Sequence, residues 1–409
     1  MRPQTSRRRP ELRFSALNLG RRHRADYWLL MLCITLLAIG LIVVYAISPA
    51  LSAANDVDSS YYVNKQLLAI ALSVVAFIIT SQVPLAWWRR AYKPLLWAAA
   101  IATLLALIIP VNPAFPAHRW VRLGSFSFQS VELVKFAVMI WLAGFLAERI
   151  RQGTLGDVQS TLKPLGIALG AVAIAVAGIQ SDLGSMGVIV AMMVIMAYVA
   201  GLPMKRILLI GGMITLVGVL AVSSTPYRRE RLATFLHPEA NCQDSGYQAC
   251  QALIAVGSGG MIGLGLGSSV QAYGYLPEAA NDSIFAIYAE KFGFIGSVVL
   301  LAVFVAFFAR LRYIIERTAD DFSRLVVVGV LAWLSTQMII NVGAMIGLLP
   351  LKGITLPFIS YGGTSVVFMT AAVGLVFQIS QYTSYSAPRI SERGEGRGPG
   401  GFRRESLRR

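Results

Sequence analysis

The stretch Pro277-Glu278-Ala279-Ala280-Asn281-Asp282-Ser283-Ile284-Phe285 leads from a polar loop into a strongly apolar segment, Ile284–Leu311. That segment exceeds the roughly 20 residues a helix needs to cross a bilayer core. Asp282 therefore stands at a membrane boundary, where an acid is costly to keep unless it is paired or used. Two readings of it are open. Asn281, Asp282 and Ser283 all suit the start of a helix as N-cap residues. A carboxylate there also suits a general base that takes a proton from a substrate hydroxyl.

Working outward, apolar runs recur along the chain. They lie near Tyr27–Ser48, Gln66–Ser81, Lys93–Val111, Val131–Ile150, Lys163–Gly178, Asp182–Gly201, Met204–Ser223, Ile284–Leu311, Arg324–Leu348 and Thr364–Ser380. The reading is an all-α polytopic integral membrane protein of about ten transmembrane helices. Composition agrees: 56% of the 409 residues are hydrophobic and 14% charged, against about 25% charged in an average soluble domain. Such a chain cannot cover a water-facing surface with polar groups.

The net charge of +16 is concentrated at the ends, from Arg2 to Arg24 and from Arg389 to Arg409. Alternate loops are also basic, with Arg89 and Arg90, Arg149 and Arg151, Lys205 and Arg206, then Arg310, Arg312 and Arg317. The positive-inside rule then places both termini in the cytoplasm. The basic ends read as segments that meet anionic membrane lipids. No nucleic-acid partner is expected, because no binding fold accompanies the arginines. The expected organisation is a basic cytoplasmic tail at 1–25, a transmembrane domain at 26–383 and a basic disordered cytoplasmic tail at 384–409.

The longest connection, about 224–283 between the seventh and eighth spans, faces outward on this topology. A connection of that length is usually functional. It contains an apolar stretch at Gln248–Gly257, read as a short interfacial or re-entrant helix. Gly257, Gly259, Gly260, Gly263, Gly265 and Gly267 follow, a strip whose backbone can approach a ligand closely. Cys242 and Cys250 share the loop, either as a disulfide or as two free thiols.

Glu132 and Lys135, three apart on one helix face, read as a neutralised pair that shapes a polar cavity. Arg119 and Trp120 precede that helix and suit an anionic headgroup. Asp182 marks the outer mouth of another helix, either as its cap or as part of the same cavity, and with Arg119, Trp120, Lys352, Ser360 and Tyr361 it is a substrate-binding candidate. Lys352, Ser360 and Tyr361 belong to an irregular outward loop, in which Lys352 suits phosphate oxygens. Irregular backbone at membrane depth is tolerated only where protein or a wet cavity covers it. No phosphate-binding loop of the Walker type is present, so ATP hydrolysis by this chain is not expected.

Together these stretches resemble the SEDS family of bacterial shape, elongation, division and sporulation proteins. The resemblance rests on His118-Arg119-Trp120-Val121 with Phe128–Lys135, then Gln180–Gly184, Gly246-Tyr247-Gln248 and Gly257–Gly260. It continues through Tyr275–Glu278 and Ser360–Ser365. Within the family, Gly265–Gln271 and Pro350–Ser360 resemble the division branch rather than the elongation branch.

The resemblance implies a membrane glycosyltransferase that polymerises lipid II into glycan strands during septal wall synthesis. It implies a class B penicillin-binding protein transpeptidase and other division proteins as partners. The expected location is the bacterial plasma membrane at the division septum. A lipid II flippase, or a non-catalytic scaffold that recruits a transpeptidase, is the alternative. The family's essential acid falls on Asp282, in a Thr-Asp-Phe-Ile-Phe-Ala motif where this chain has Asn281 and Ser283. Its Glu-Glu-Leu-Gly motif, associated with a divalent cation (Mg or Mn), reads Glu290-Lys291-Phe292-Gly293 here.

Overall fold

The structure is a computed structural model. It describes residues 24–108, 120–123, 126–208, 211–212, 235, 242–244 and 246–383. Among these residues nine helices are long and apolar enough to cross a membrane. The expected seventh span, Met204–Ser223, lies mostly outside the described residues, as do the two basic tails.

The spanning helices are α1 (Tyr27–Ala54), α2 (Tyr61–Gln82), α3 (Leu85–Ile108) and α4 (Ser130–Gln152), followed by α5 over Val158–Ile179 and α6 (Leu183–Ala200). The short α7 (Tyr247–Ser258) is not one of them. Three more spans complete the bundle: α8 (Ile284–Arg317), α9 (Asp321–Met345) and α10 (Gly363–Ser380). A two-stranded antiparallel hairpin, β1 (Trp120–Leu123) with β2 (Phe126–Gln129), precedes α4. The most enclosed helices are α4, α9 and α10, and Trp333, Met139 and Leu142 are fully buried between them.

Helix ends carry their own signals. Asp26 caps α1 by accepting from Leu29 N at 3.1 Å, and its carboxylate also meets Arg310 Nε of α8 at 2.6 Å. Asp26 N donates to Ser380 Oγ at 3.0 Å, so one residue ties α1, α8 and α10 together. Asp320 caps α9 and meets Arg89 of α3 at 2.5 Å. Burial alone would raise the Asp320 carboxyl, but hydrogen bonds from Ser323 and the Arg89 guanidinium hold it below the usual carboxylate range.

The glycine strip approaches the chain's own backbone. Helix α8 breaks at Gly293, where φ is 66° and ψ is −164°. A break strands carbonyls on one side and amides on the other, and inside a membrane each must find a partner. The strip supplies them. Leu264 N and Gly265 N donate to Glu290 O and Lys291 O at 2.9 and 3.0 Å, while Phe294 N and Ile295 N donate to Gly260 O and Met261 O at 2.8 and 3.1 Å.

Two backbones this close leave no room for a side chain at Gly263. A Cβ there would lie 2.2 Å from Lys291 O, and its φ is +82°. Gly263→Ala is therefore expected to destabilise the fold by ~1–3 kcal/mol. Gly267→Ala, with open space around its Cβ, should be nearly neutral. Thermal unfolding of the two variants in detergent checks the contrast.

Candidate active site

The turn that carries Asp282 is built by its own polar residues. Asn281 N and Ser283 N donate to Glu278 O at 2.9 and 3.2 Å. The Asn281 amide donates to the Glu278 carboxylate. Ser283 Oγ donates to Pro277 O at 2.9 Å and accepts from Gln248 Nε2 of α7 at 3.1 Å. The two departures from the family motif, Asn281 and Ser283, thus supply hydrogen bonds that shape this turn. The N-cap position of α8 falls on Ser283, one residue beyond Asp282.

Three successive carbonyls of the turn are held from outside. Tyr361 N donates to Ala280 O at 2.8 Å, Ser360 Oγ to Asn281 O at 2.6 Å, and Asn341 Nδ2 to Asp282 O at 2.7 Å. Such bonds contribute about 1 kcal/mol each, and a buried carbonyl left without its donor costs more. All three grip main chain rather than the side chain at 282. Tyr361 packs edge-on against Tyr62 at 5.3 Å. Burial, then the neighbouring Tyr61 and Tyr62, push its phenol above the ordinary range, so it stays neutral.

Asp282 and Lys352 line one small recess together with Asn341, Met345 and Gly353. Its volume is about 10 Å³, near the least that holds one water and far below a sugar ring. Asp182 is buried behind this site. It caps α6, accepting from Ser185 N and Ser185 Oγ at 2.9 Å each. Gly184 follows, and a Cβ there would lie 2.7 Å from Lys352 O. The Gln180–Gly184 stretch thereby sets the floor on which the Lys352 loop rests.

Behind the recess runs a buried polar chain. Lys135 Nζ donates to Glu132 Oε1 at 2.7 Å and to Gln337 Oε1 at 3.1 Å. Trp333 Nε1 donates to the same Gln337 oxygen at 2.9 Å. Gln337 Nε2 donates to Thr355 O and Thr355 Oγ1, both at 3.0 Å. One helical turn on, Asn341 Nδ2 donates to Ile354 O at 2.6 Å as well as to Asp282 O. The Glu132–Lys135 pair is thus linked, through α9 and the loop, to the backbone of Asp282.

Sequence reading missed Gln337 and Asn341. The available signal was two amides at i and i+4, following Trp333, in an otherwise apolar helix. Trp120 lies on β1, 38% exposed, outside the recess. Its hairpin is tied to the start of α10, since Thr364 Oγ1 donates to Ser127 O and accepts from Gln129 N at 3.1 and 3.2 Å. Arg119 lies outside the described residues. Cys242 and Cys250 form a disulfide at the start of α7, the helix whose Gln248 touches Ser283.

The residues at 290–291 do not fit a divalent cation. The Glu290 carboxylate accepts from Ser269 Oγ and from Val270 N and Gln271 N at 2.8 and 3.1 Å. At the position of the family motif's second glutamate this chain has Lys291, whose ammonium donates to Leu266 O at 2.6 Å. A single carboxylate that already accepts three hydrogen bonds, beside an ammonium, is a poor site for Mg or Mn. Among the described residues no group of three His, Cys, Asp or Glu side chains is placed to hold a metal.

Comparison with known proteins places this geometry in context. Residues 27–385 match the FTSW_RODA_SPOVE family, described as cell cycle proteins. The chain is 38% identical over 369 residues to the "Probable peptidoglycan glycosyltransferase FtsW" of Saccharophagus degradans, covering 87% of this chain and 92% of the relative. It is 36% identical to stage V sporulation protein E of Bacillus subtilis, covering 88% and 98%. A chain of a peptidoglycan synthase complex superposes with a TM-score of 0.70 at 24% identity, covering 87% of this chain and 97% of that one. The rod shape determining protein RodA of Thermus thermophilus does so with a TM-score of 0.64 at 24% identity, covering 89% and 98%. At that identity the two structures speak for the fold alone.

Proposed function

The chain belongs to the FTSW_RODA_SPOVE family of cell cycle proteins, and from that membership we propose that it is a peptidoglycan glycosyltransferase polymerising lipid II, with Asp282 as general base. The observation that carries the residue assignment is the gripped backbone at 280–282, which presents one carboxylate beside Lys352 at the rim of a recess. An acid held this way is preorganised to take a proton.

In the proposed reaction Asp282 accepts the proton of the 4-hydroxyl of the acceptor N-acetylglucosamine. The freed oxygen attacks the anomeric carbon of the donor sugar. The bond to the pyrophosphate oxygen breaks, undecaprenyl pyrophosphate leaves, and a single displacement inverts the anomeric centre. Negative charge develops on the departing pyrophosphate, and Lys352, which lines the recess with Asp282, is in this reading a cation that meets it. Glu132 and Lys135 act as architecture behind the loop.

We place the protein in the bacterial plasma membrane at the division septum, with both termini cytoplasmic and Asp282 outside. Its partner in this reading is a class B penicillin-binding protein transpeptidase, which crosslinks the strands made here. The "peptidoglycan glycosyltransferase" name of the Saccharophagus degradans relative supports the activity. Detergent-solubilised protein supplied with lipid II and this partner is expected to form glycan strands, read by gel separation of the products. Transport has no meaning without a membrane, so strand formation discards the flippase reading. Absence of strands both alone and with the partner would favour the scaffold.

A further inference from the structure

We infer that Asn341 is a positioning residue for the Asp282 reaction, an inference that rests on the reading of Asp282 as base. Asn341 is only 2% exposed in the last turns of α9. Its Nδ2 bridges two carbonyls, Asp282 O at 2.7 Å and Ile354 O at 2.6 Å. Carbonyls only accept, so the amide orientation is fixed: its NH2 faces both of them. One side chain thus bolts the peptide of the acid to the loop that carries Lys352.

The other end of this amide is as informative. Asn341 Oδ1 is buried and has no hydrogen-bond partner among the described residues, while Asn341 lines the recess shared by Asp282 and Lys352. A buried acceptor left idle is costly and rare. By joining the carbonyl of Asp282 to that of Ile354, two residues from Lys352, the amide sets the distance between the acid and the cation. Gln337, one turn earlier, holds Thr355 in the same way. The pair Gln337–Asn341 therefore fixes the loop at two adjacent residues, and only Asn341 also reaches Asp282.

A residue that acts through Asp282 predicts a specific kinetic pattern. Asn341→Ala in the full-length protein with its transpeptidase partner should lower kcat for lipid II polymerisation by about 10–100-fold, a share of the effect of a positioned base. KM for lipid II should stay within about twofold, because binding contacts elsewhere are kept. Asn341→Ser keeps one donor and should recover part of the loss. The decisive measurement is the double variant. In an Asp282→Asn background, Asn341→Ala should cost little further activity, because the group it positions is already gone.

Parent kcat in Asn341→Ala, or a loss confined to KM, overturns the inference. So does an equal fold-loss in both backgrounds. Failure of both Asn341 variants to fold, judged by thermal unfolding in detergent, would assign the residue to stability and also overturn it. Asp282→Asn at the parent rate would instead remove the underlying assignment of the base, an outcome read from the single variant alone.

Discussion

Asp282→Asn is expected to lower the rate of glycan-strand formation by about 10²–10⁴-fold, the usual contribution of a positioned acid or base. The substitution keeps the size and shape of the side chain but removes its charge and its capacity to accept a proton. The turn should survive it, because the bonds at Ala280 O, Asn281 O and Asp282 O all hold main chain. The thermal unfolding midpoint should therefore stay near that of the parent, and lipid II should still bind. Initial rates with purified protein, the partner transpeptidase and lipid II give the comparison. A variant that polymerises at the parent rate removes Asp282 from the chemistry.

The spans were legible in the sequence because hydrophobic length is a local property. Thus Tyr27–Ser48 and Thr364–Ser380 fall within α1 and α10. Where distant segments meet was harder to read. In sequence the glycine strip suits an approach to a ligand, and the structure turns it onto the break at Gly293 in α8. Nothing local marks Gly293 as that break, since a glycine in an apolar helix is common in membranes. The acid at 282 was readable because a carboxylate at an apolar boundary is expensive. Asn341 and Gln337 were not, because an amide in a span costs less than a charge, and their role exists only once α9 lies against the loop at 354–355.

The same logic governs Glu132→Ala, the variant expected to damage the fold most. Glu132 and Lys135 are 2% and 1% exposed, and their 2.7 Å contact lies inside the most enclosed part of the bundle. Removing the carboxylate leaves an ammonium in a low-dielectric interior. Breaking one side of such a pair typically costs about 3–5 kcal/mol, far more than a surface pair. Gln337 Oε1, and the Trp333 ring at 5.4 Å from Nζ, soften the loss without replacing the charge. The damage should spread to activity, because Lys135 orients the Gln337 amide that holds Thr355. Exchange of the two charges, Glu132→Lys with Lys135→Glu, restores neutrality but not that contact. A carboxylate at 135 would face the Gln337 oxygen, acceptor against acceptor, and Gln337 cannot turn over without releasing Thr355 O. The exchanged pair should therefore regain most of the thermal stability lost in Glu132→Ala but only part of the polymerisation rate. Full recovery of both would mean that the pair contributes charge balance alone. Normal folding of the exchanged pair without any recovery of rate would instead give the two residues separate direct roles.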